Sequence, residues 1–140
     1  MTQNITIVTG KYVVKKGYYA SGALRWEVPY VNGKEHGIEK HYYASGVLEF
    51  EITYENGRKR GIAKSYYKSG ALWTETPYVN GERHGIEKWY YESGSLKQEI
   101  PYVNGERHGV IKTYDSVSTD IVCLTLYDSG LTVTSVEFDI

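Results

Sequence analysis

Short runs of alternating apolar and polar residues, each closed by a turn signal, fill the chain. In the stretch 70–93, residues 71–78 and 86–91 are rich in aromatic and β-branched side chains, the composition of strands on a pleated, half-buried surface. Asn80-Gly81 lies between them and marks a hairpin, because both residues tolerate positive φ. Glu82-Arg83-His84-Gly85 precedes the second run, so the connection is expected to be longer than a two-residue loop. Glu92-Ser93-Gly94 reads as a three-residue return turn with glycine in the left-handed position. No stretch combines helical periodicity with enough length free of turn signals, so no helix is expected.

The pattern repeats. Ser-Gly falls at Ser21-Gly22, Ser45-Gly46, Ser69-Gly70 and Ser93-Gly94, and Asn-Gly at Asn32-Gly33, Asn56-Gly57, Asn80-Gly81 and Asn104-Gly105. A further glycine (Gly37, Gly61, Gly85, Gly109) and a tyrosine (Tyr42, Tyr66, Tyr90, Tyr114) follow each time, so a 24-residue unit recurs four times without insertion. A fixed period of this size is the mark of a repeat array, whose units bury their apolar side only by stacking. The expected fold is all-β: a single-layer, twisted, antiparallel meander of stacked hairpins, left open at both ends. About eleven strands at ~4.8 Å spacing give a sheet on the order of 50 Å long. One domain is expected over residues 1–140. It comprises an N-terminal cap strand (1–17), four repeats (18–114) and a divergent C-terminal capping hairpin (115–140) built from runs 119–127 and 131–138.

Parity along the strands divides the residues into two faces. Leu24, Trp26, Val28, Tyr30, Ile38, Lys40 and Tyr42, with equivalents such as Ile62, Ile86 and Val110, are expected to form the packed face. Ala23, Arg25, Glu27, Pro29, Glu39, His41 and Tyr43 are expected to form a more polar and variable one. Pro29, Pro77 and Pro101 come late in their strands, where loss of a ladder donor should end pairing or impose a bulge.

Composition sharpens this picture. There are 15 tyrosines against 2 phenylalanines. Tyrosine suits a surface that is half wet, so the structure should be thin, without a deep core. The formal net charge is −1, which argues against nucleic acid as the main partner. The lone cysteine, Cys123, rules out an intramolecular disulfide and reads as a small apolar strand residue. Residues 1–8 lack a signal-peptide pattern, and no apolar stretch approaches the roughly 18 residues of a membrane-spanning helix. A cytoplasmic protein is the expectation.

Candidate chemistry is sparse. His36, His84 and His108 share one repeat position, but equivalent positions lie about 10 Å apart, two strands on, whereas ligands of one metal lie ~3–4 Å from each other. They read as turn or surface residues. Glu27, Glu51, Glu75 and Glu99 and Lys40, Lys64, Lys88 and Lys112 recur in every unit, as a cross-strand charge ladder would. No nucleophile elbow, phosphate loop or zinc spacing occurs, so neither an enzyme nor a cofactor is expected. The loop edge carries Lys34, Arg58, Lys59, Arg60, Arg83 and Arg107, tempered by Glu35, Glu82 and Glu106. Contact with anionic headgroups or an acidic partner and a merely solvated edge both remain open. The third unit places Trp73 and Trp89 where others carry Arg25, Glu49, His41 or Ser65. With Tyr67 and Tyr91 as expected neighbours, and with His41, these are the candidate partner-binding residues. Local stacking that stiffens the sheet is the other reading.

Tyr-x-x-Ser-Gly-x-Leu, followed by Tyr-Val-Asn-Gly-x-x-His-Gly-Ile-x-Lys-x-Tyr, resembles the MORN repeat (membrane occupation and recognition nexus) over about residues 18–114. It resembles more narrowly the variant of the bacterial antitoxin-type YwqK family. The resemblance implies a curved single-layer sheet and a non-catalytic role, as a protein-interaction module or as the immunity partner of a toxin. It also implies lipid binding as a property discussed for the broader family, and it transfers no catalytic residue. The expected function is a protein-binding module that neutralises a toxin by occlusion. The alternative is a peripheral membrane adaptor that uses the basic loop edge. The open sheet edges suit a homodimer, and Lys11, Lys15 and Lys16 suit protection of the first edge.

Overall fold

The computed structural model describes residues 6–9 and 12–138. It is one antiparallel sheet of 15 strands. The first half comprises β1 (Thr6–Thr9), β2 (Tyr12–Tyr18), β3 (Leu24–Val31), β4 (Lys34–Glu35), β5 (Gly37–Tyr42), β6 (Leu48–Glu55), β7 (Arg58–Tyr66) and β8 (Leu72–Val79). Then come β9 (Glu82–Arg83), β10 (Gly85–Tyr90), β11 (Leu96–Val103), β12 (Glu106–Arg107), β13 (Gly109–Tyr114), β14 (Ile121–Asp128) and β15 (Leu131–Glu137). Strands pair in chain order, except that β4, β9 and β12 pair only with the strand before them. Of the expected cap strand, residues 1–5, Gly10 and Lys11 lie outside the described residues.

The turns follow from local chemistry. Asn80 and Gly81 have φ of 52° and 93°, the doubly left-handed geometry of a two-residue loop whose twist matches the strands. Val79 therefore pairs with Glu82 and Tyr78 with Arg83. The connection is tighter than the sequence suggested, and the extra residues are spent just afterwards. At Pro77 the ladder opens. His84 N–H donates to the Pro77 carbonyl at 3.0 Å. The partner strand bulges outward at Gly85; the second unit shifts register in the same way with Thr53 in place of the proline, so Pro77, which has no N–H to offer, occupies a bulge that the repeat also makes without it. Gly85 has φ of 111°, and a Cβ there would lie 3.2 Å from Pro77 Cγ. Pro29 and Pro101 accept from His36 and His108 in the same way, as the expected disruption at proline requires. The return turns are three-residue loops: Tyr67 N–H donates to Ala71 O and Gly70 N–H to Tyr67 O.

Register corrects the assignment of faces. A two-residue turn pairs even positions with odd ones, as in Val31 with Lys34, so parity inverts from one strand to the next. Trp26 pairs with His41, and His41 with Phe50; residues directly opposite share a face. One face therefore carries Val28, Ile52, Thr74, Thr76, Glu87, Ile100, Tyr102 and Ile111, all buried. Glu39 and His41, expected on the polar face, lie on this one. Ile38, Lys40 and Tyr42 lie on the opposite face with their equivalents, where Ile38, Ile62, Ile86 and Val110 are 47%, 54%, 52% and 41% exposed. The packed face is shallow, as a single layer demands: no described side chain is completely sealed from solvent, and its main cluster is Ile100, Tyr102 and Ile111 with Trp89 and Tyr127 against it.

Three repeated contacts join the units. The turn tyrosines Tyr19, Tyr43, Tyr67 and Tyr91 donate their hydroxyls to the carbonyls of Tyr42, Tyr66, Tyr90 and Tyr114 at 2.6–3.0 Å. Tyr42, Tyr66, Tyr90 and Tyr114 in turn donate to Glu27, Glu51, Glu75 and Glu99 at 2.8–3.1 Å. At the other edge, the N–H groups of Gly57, Gly81, Gly105 and Gly130 donate to the carbonyls of Glu35, Lys59, Arg83 and Arg107.

Candidate functional site

The tryptophan pair is made by a bulge. Ser65 pairs with Thr74 and Tyr66 with Leu72, which leaves Trp73 as an extra residue. Arg25, Glu49 and Lys97 occupy the same extra position in the other units. A bulge re-aims its side chain, and here it brings Trp73 to the packed face. Trp89 reaches that face by ordinary alternation, opposite Thr74. The two rings meet edge to face with centroids 5.4 Å apart, and Tyr67 lies 5.8 Å from Trp73. The cluster thus stands on the core-bearing face rather than on a separate polar one. Trp73 remains 38% exposed. Trp89 Nε1 is buried with no hydrogen-bond partner among the described residues.

The other candidates are placed differently. Tyr91 lies under Lys97, whose Nζ is 5.4 Å from its ring centroid; Arg25 sits over Tyr19 in the same way. His41 stacks on Phe50 at 4.1 Å, and its Nε2 lies 2.7 Å from Glu39 Oε1. The row from His41 to Trp89 runs through Phe50, Ser65 and Thr74, about four strand spacings or ~19 Å. His41 therefore belongs to a second aromatic group. Phe50 was missed by sequence reasoning, although its alignment with Trp26 and Thr74 in the repeat was available.

The basic loop edge splits in two. Lys59, Arg83 and Arg107 lie over the rings of Tyr78, Tyr102 and Tyr127 at 5.1, 5.1 and 5.5 Å. Arg83 also donates to the Tyr102 hydroxyl at 2.9 Å. Lys34, Arg58, Lys59 and Arg60 line an open groove of about 820 Å³ with Asn56 and Tyr78, in which Arg60 pairs with Glu55.

The opposite face carries the charge ladder. Lys16, Glu27, Lys40, Glu51, Lys64, Glu75, Lys88, Glu99 and Lys112 stand opposite one another in sequence. Ion pairs close at Lys16–Glu27, Lys64–Glu75 and Lys112–Glu99, at 3.0, 3.4 and 3.7 Å. Burial, then hydrogen bonds to Glu75 and Glu99, push Tyr90 and Tyr114 up to about 12. For Glu27, burial pulls upward, but Lys16 and Tyr42 outweigh it and hold the carboxyl below its ordinary value. His36 and His108 have local partners, Asn56 N–H at 3.5 Å and Asp128 at 3.3 Å.

A stacked-hairpin sheet with one aromatic face and one charged face is a repeat-built binding scaffold. The MORN repeat variant family matches residues 35–56, 59–80 and 83–104, three consecutive units of the array. MORN repeats are generally non-enzymatic modules that mediate protein or membrane interactions. Among curated proteins, none matches the chain.

Proposed function

We propose that this chain is a protein-binding module that occludes its partner with the packed face, centred on Tyr67, Trp73 and Trp89. The observation that carries this reading is the edge-to-face tryptophan pair, whose Trp73 is 38% exposed beside Tyr67. Trp and Tyr are the usual anchors of interfaces, and the hairpins beneath them are cross-linked on both edges and so lose little freedom on binding. Neutralisation of a toxin is one form such occlusion takes, and the resemblance to antitoxin-type MORN proteins supports it. A second reading, a membrane adaptor, is favoured by the four cations that line one loop-edge groove.

The test is affinity capture from the native lysate by the wild-type chain and by Trp73→Ala/Trp89→Ala, with circular dichroism of both. The expected result is one abundant protein, lost from the double mutant while its spectrum stays that of a β-sheet. Equal capture by both would overturn the site. No captured protein, with salt-sensitive flotation on anionic vesicles, would move the assignment to the loop-edge groove.

A further inference from the structure

The ladder face carries an apolar row of its own. Ile38, Ile62, Ile86 and Val110 stand across it near the loop edge, one from each unit and each about half exposed. Val79 and Val103 are as exposed beside them. Each follows a packed-face tyrosine, Tyr78 or Tyr102, so alternation turns it to the ladder side. Pro77 and Pro101 stand directly opposite Ile62 and Ile86 and keep the row continuous. From Ile38 on β5, through β6, β7, β8, β10 and β11, to Val110 on β13, the row crosses six strand spacings, ~29 Å. Contiguous exposed apolar side chains of this kind mark contact sites.

Charge borders the row on both sides. Two residues further along each strand runs the lysine–glutamate ladder, ~7 Å away. At the hairpin tips, Lys34, Arg58, Glu82 and Glu106 stand opposite Val31, Glu55, Val79 and Val103 and so share their face. All four are exposed, and among the described residues none is held in an ion pair. The tips are therefore positive beside the first two units and negative beside the next two. A flat partner, a second copy of this sheet included, would bury the ladder together with the row and strip water from its charges. A helix, about 10–12 Å across, covers the row and leaves the ladder wet. Helical residues seven apart rise ~10.5 Å, against ~9.6 Å between successive units, so a single apolar stripe meets every unit. The helix dipole also matches the tips, with its positive N-terminus beside Glu82 and Glu106 and its negative C-terminus beside Lys34 and Arg58.

We propose that the ladder face holds an amphipathic helix of a protein partner, about 19 residues long, laid across the strands along this row with its N-terminus toward Glu106 and its C-terminus toward Lys34. Leucine-like anchors at helical spacing would sit between Ile38, Ile62, Ile86 and Val110. This surface lies on the opposite side of the sheet from Trp73 and Trp89 and stands whether or not those residues bind a partner.

The experiment labels the isoleucine and valine methyls of the full chain, because Ile38, Ile62 and Ile86 report on the ladder face and the buried Ile52, Ile100 and Ile111 on the packed one. The probe is a synthetic helical peptide of about 19 residues, with leucine along one stripe and alanine and glutamine elsewhere; a shuffled peptide without the stripe is the control. Saturable shifts confined to Ile38, Ile62, Ile86 and Val110 are expected with the helical peptide and none with the shuffled one. A spin label at its N-terminus should broaden the Val110 methyls, and one at its C-terminus those of Ile38. Ile62→Thr/Ile86→Thr keeps β-branched residues in the strands and should weaken binding by ~10-fold or more, with an unfolding midpoint near that of the wild type. Trp73→Ala/Trp89→Ala should bind the peptide as the wild type does. No saturable shift, shifts centred on Ile52, Ile100 and Ile111, or equal affinity in Ile62→Thr/Ile86→Thr would overturn the helix site. Broadening in the reverse sense, or at both ends alike, would overturn the orientation. Loss of peptide binding in Trp73→Ala/Trp89→Ala with Ile62→Thr/Ile86→Thr unaffected would move the helix to the packed face.

Discussion

Isoleucine occupies both faces of this sheet, and its weight differs between them. Ile100 is 3% exposed and packs with Tyr102 and Ile111, whereas Ile62 is 54% exposed on the ladder face. Removing buried methylenes costs the transfer energy and leaves a cavity; removing exposed ones costs little. Ile100→Ala should therefore lose about 2–4 kcal/mol in urea unfolding, while Ile62→Ala should stay within about 1 kcal/mol. A large loss at Ile62 would mean that another molecule covers the exposed row in solution. Residue identity alone does not separate these isoleucines, since each follows the alternation of its own strand. The separation comes from strand register, which inverts parity at every two-residue turn.

At the scale of the hairpin, the contacts between units matter most. A turn tyrosine packs its ring beside the bulged residue and donates its hydroxyl to a carbonyl of the next unit, as Tyr67 does with Trp73 and Tyr90. Tyr67→Phe keeps the ring and removes only this bond, so it should lower stability by about 1 kcal/mol. The check is the denaturation midpoint, with an unchanged slope and spectrum; no shift would show that the bond is replaced by water. The turns were legible in sequence because Asn-Gly and Ser-Gly permit the positive φ that these loops need. Three of the loop-edge bulges were legible at the prolines, where a donor is missing; the one opposite Thr53 was not. The bulge at Trp73 was not, because it arises from a mismatch in count between two paired strands.

For the whole molecule, tyrosines on both faces set a pH range. Tyr54, Tyr90 and Tyr114 have folded values raised to about 12 from an ordinary 10. A raised folded value means that the neutral form is favoured in the sheet. The stabilisation is thus complete below pH 10 and is lost as pH climbs from 10 towards 12. Phenolate absorbance should show a subset of tyrosines ionising late, with the unfolding midpoint falling over the same interval. Tyrosines that all ionise at their ordinary value, with no loss of stability, would contradict this.

The sequence by itself determined the period, the hairpins, the turn types near glycine and the all-β architecture, because these depend on backbone preferences that act within a few residues. It also exposed Trp73, Trp89 and the charge ladder as departures or constants within the repeat. Only the tertiary structure decided which face each residue joins, that the tryptophans stand beside the core, and that Glu39 and Tyr54 border a hollow over Ala63. Those facts depend on the register between strands and on the volume of side chains contributed by different hairpins, and neither is encoded in any one stretch of chain.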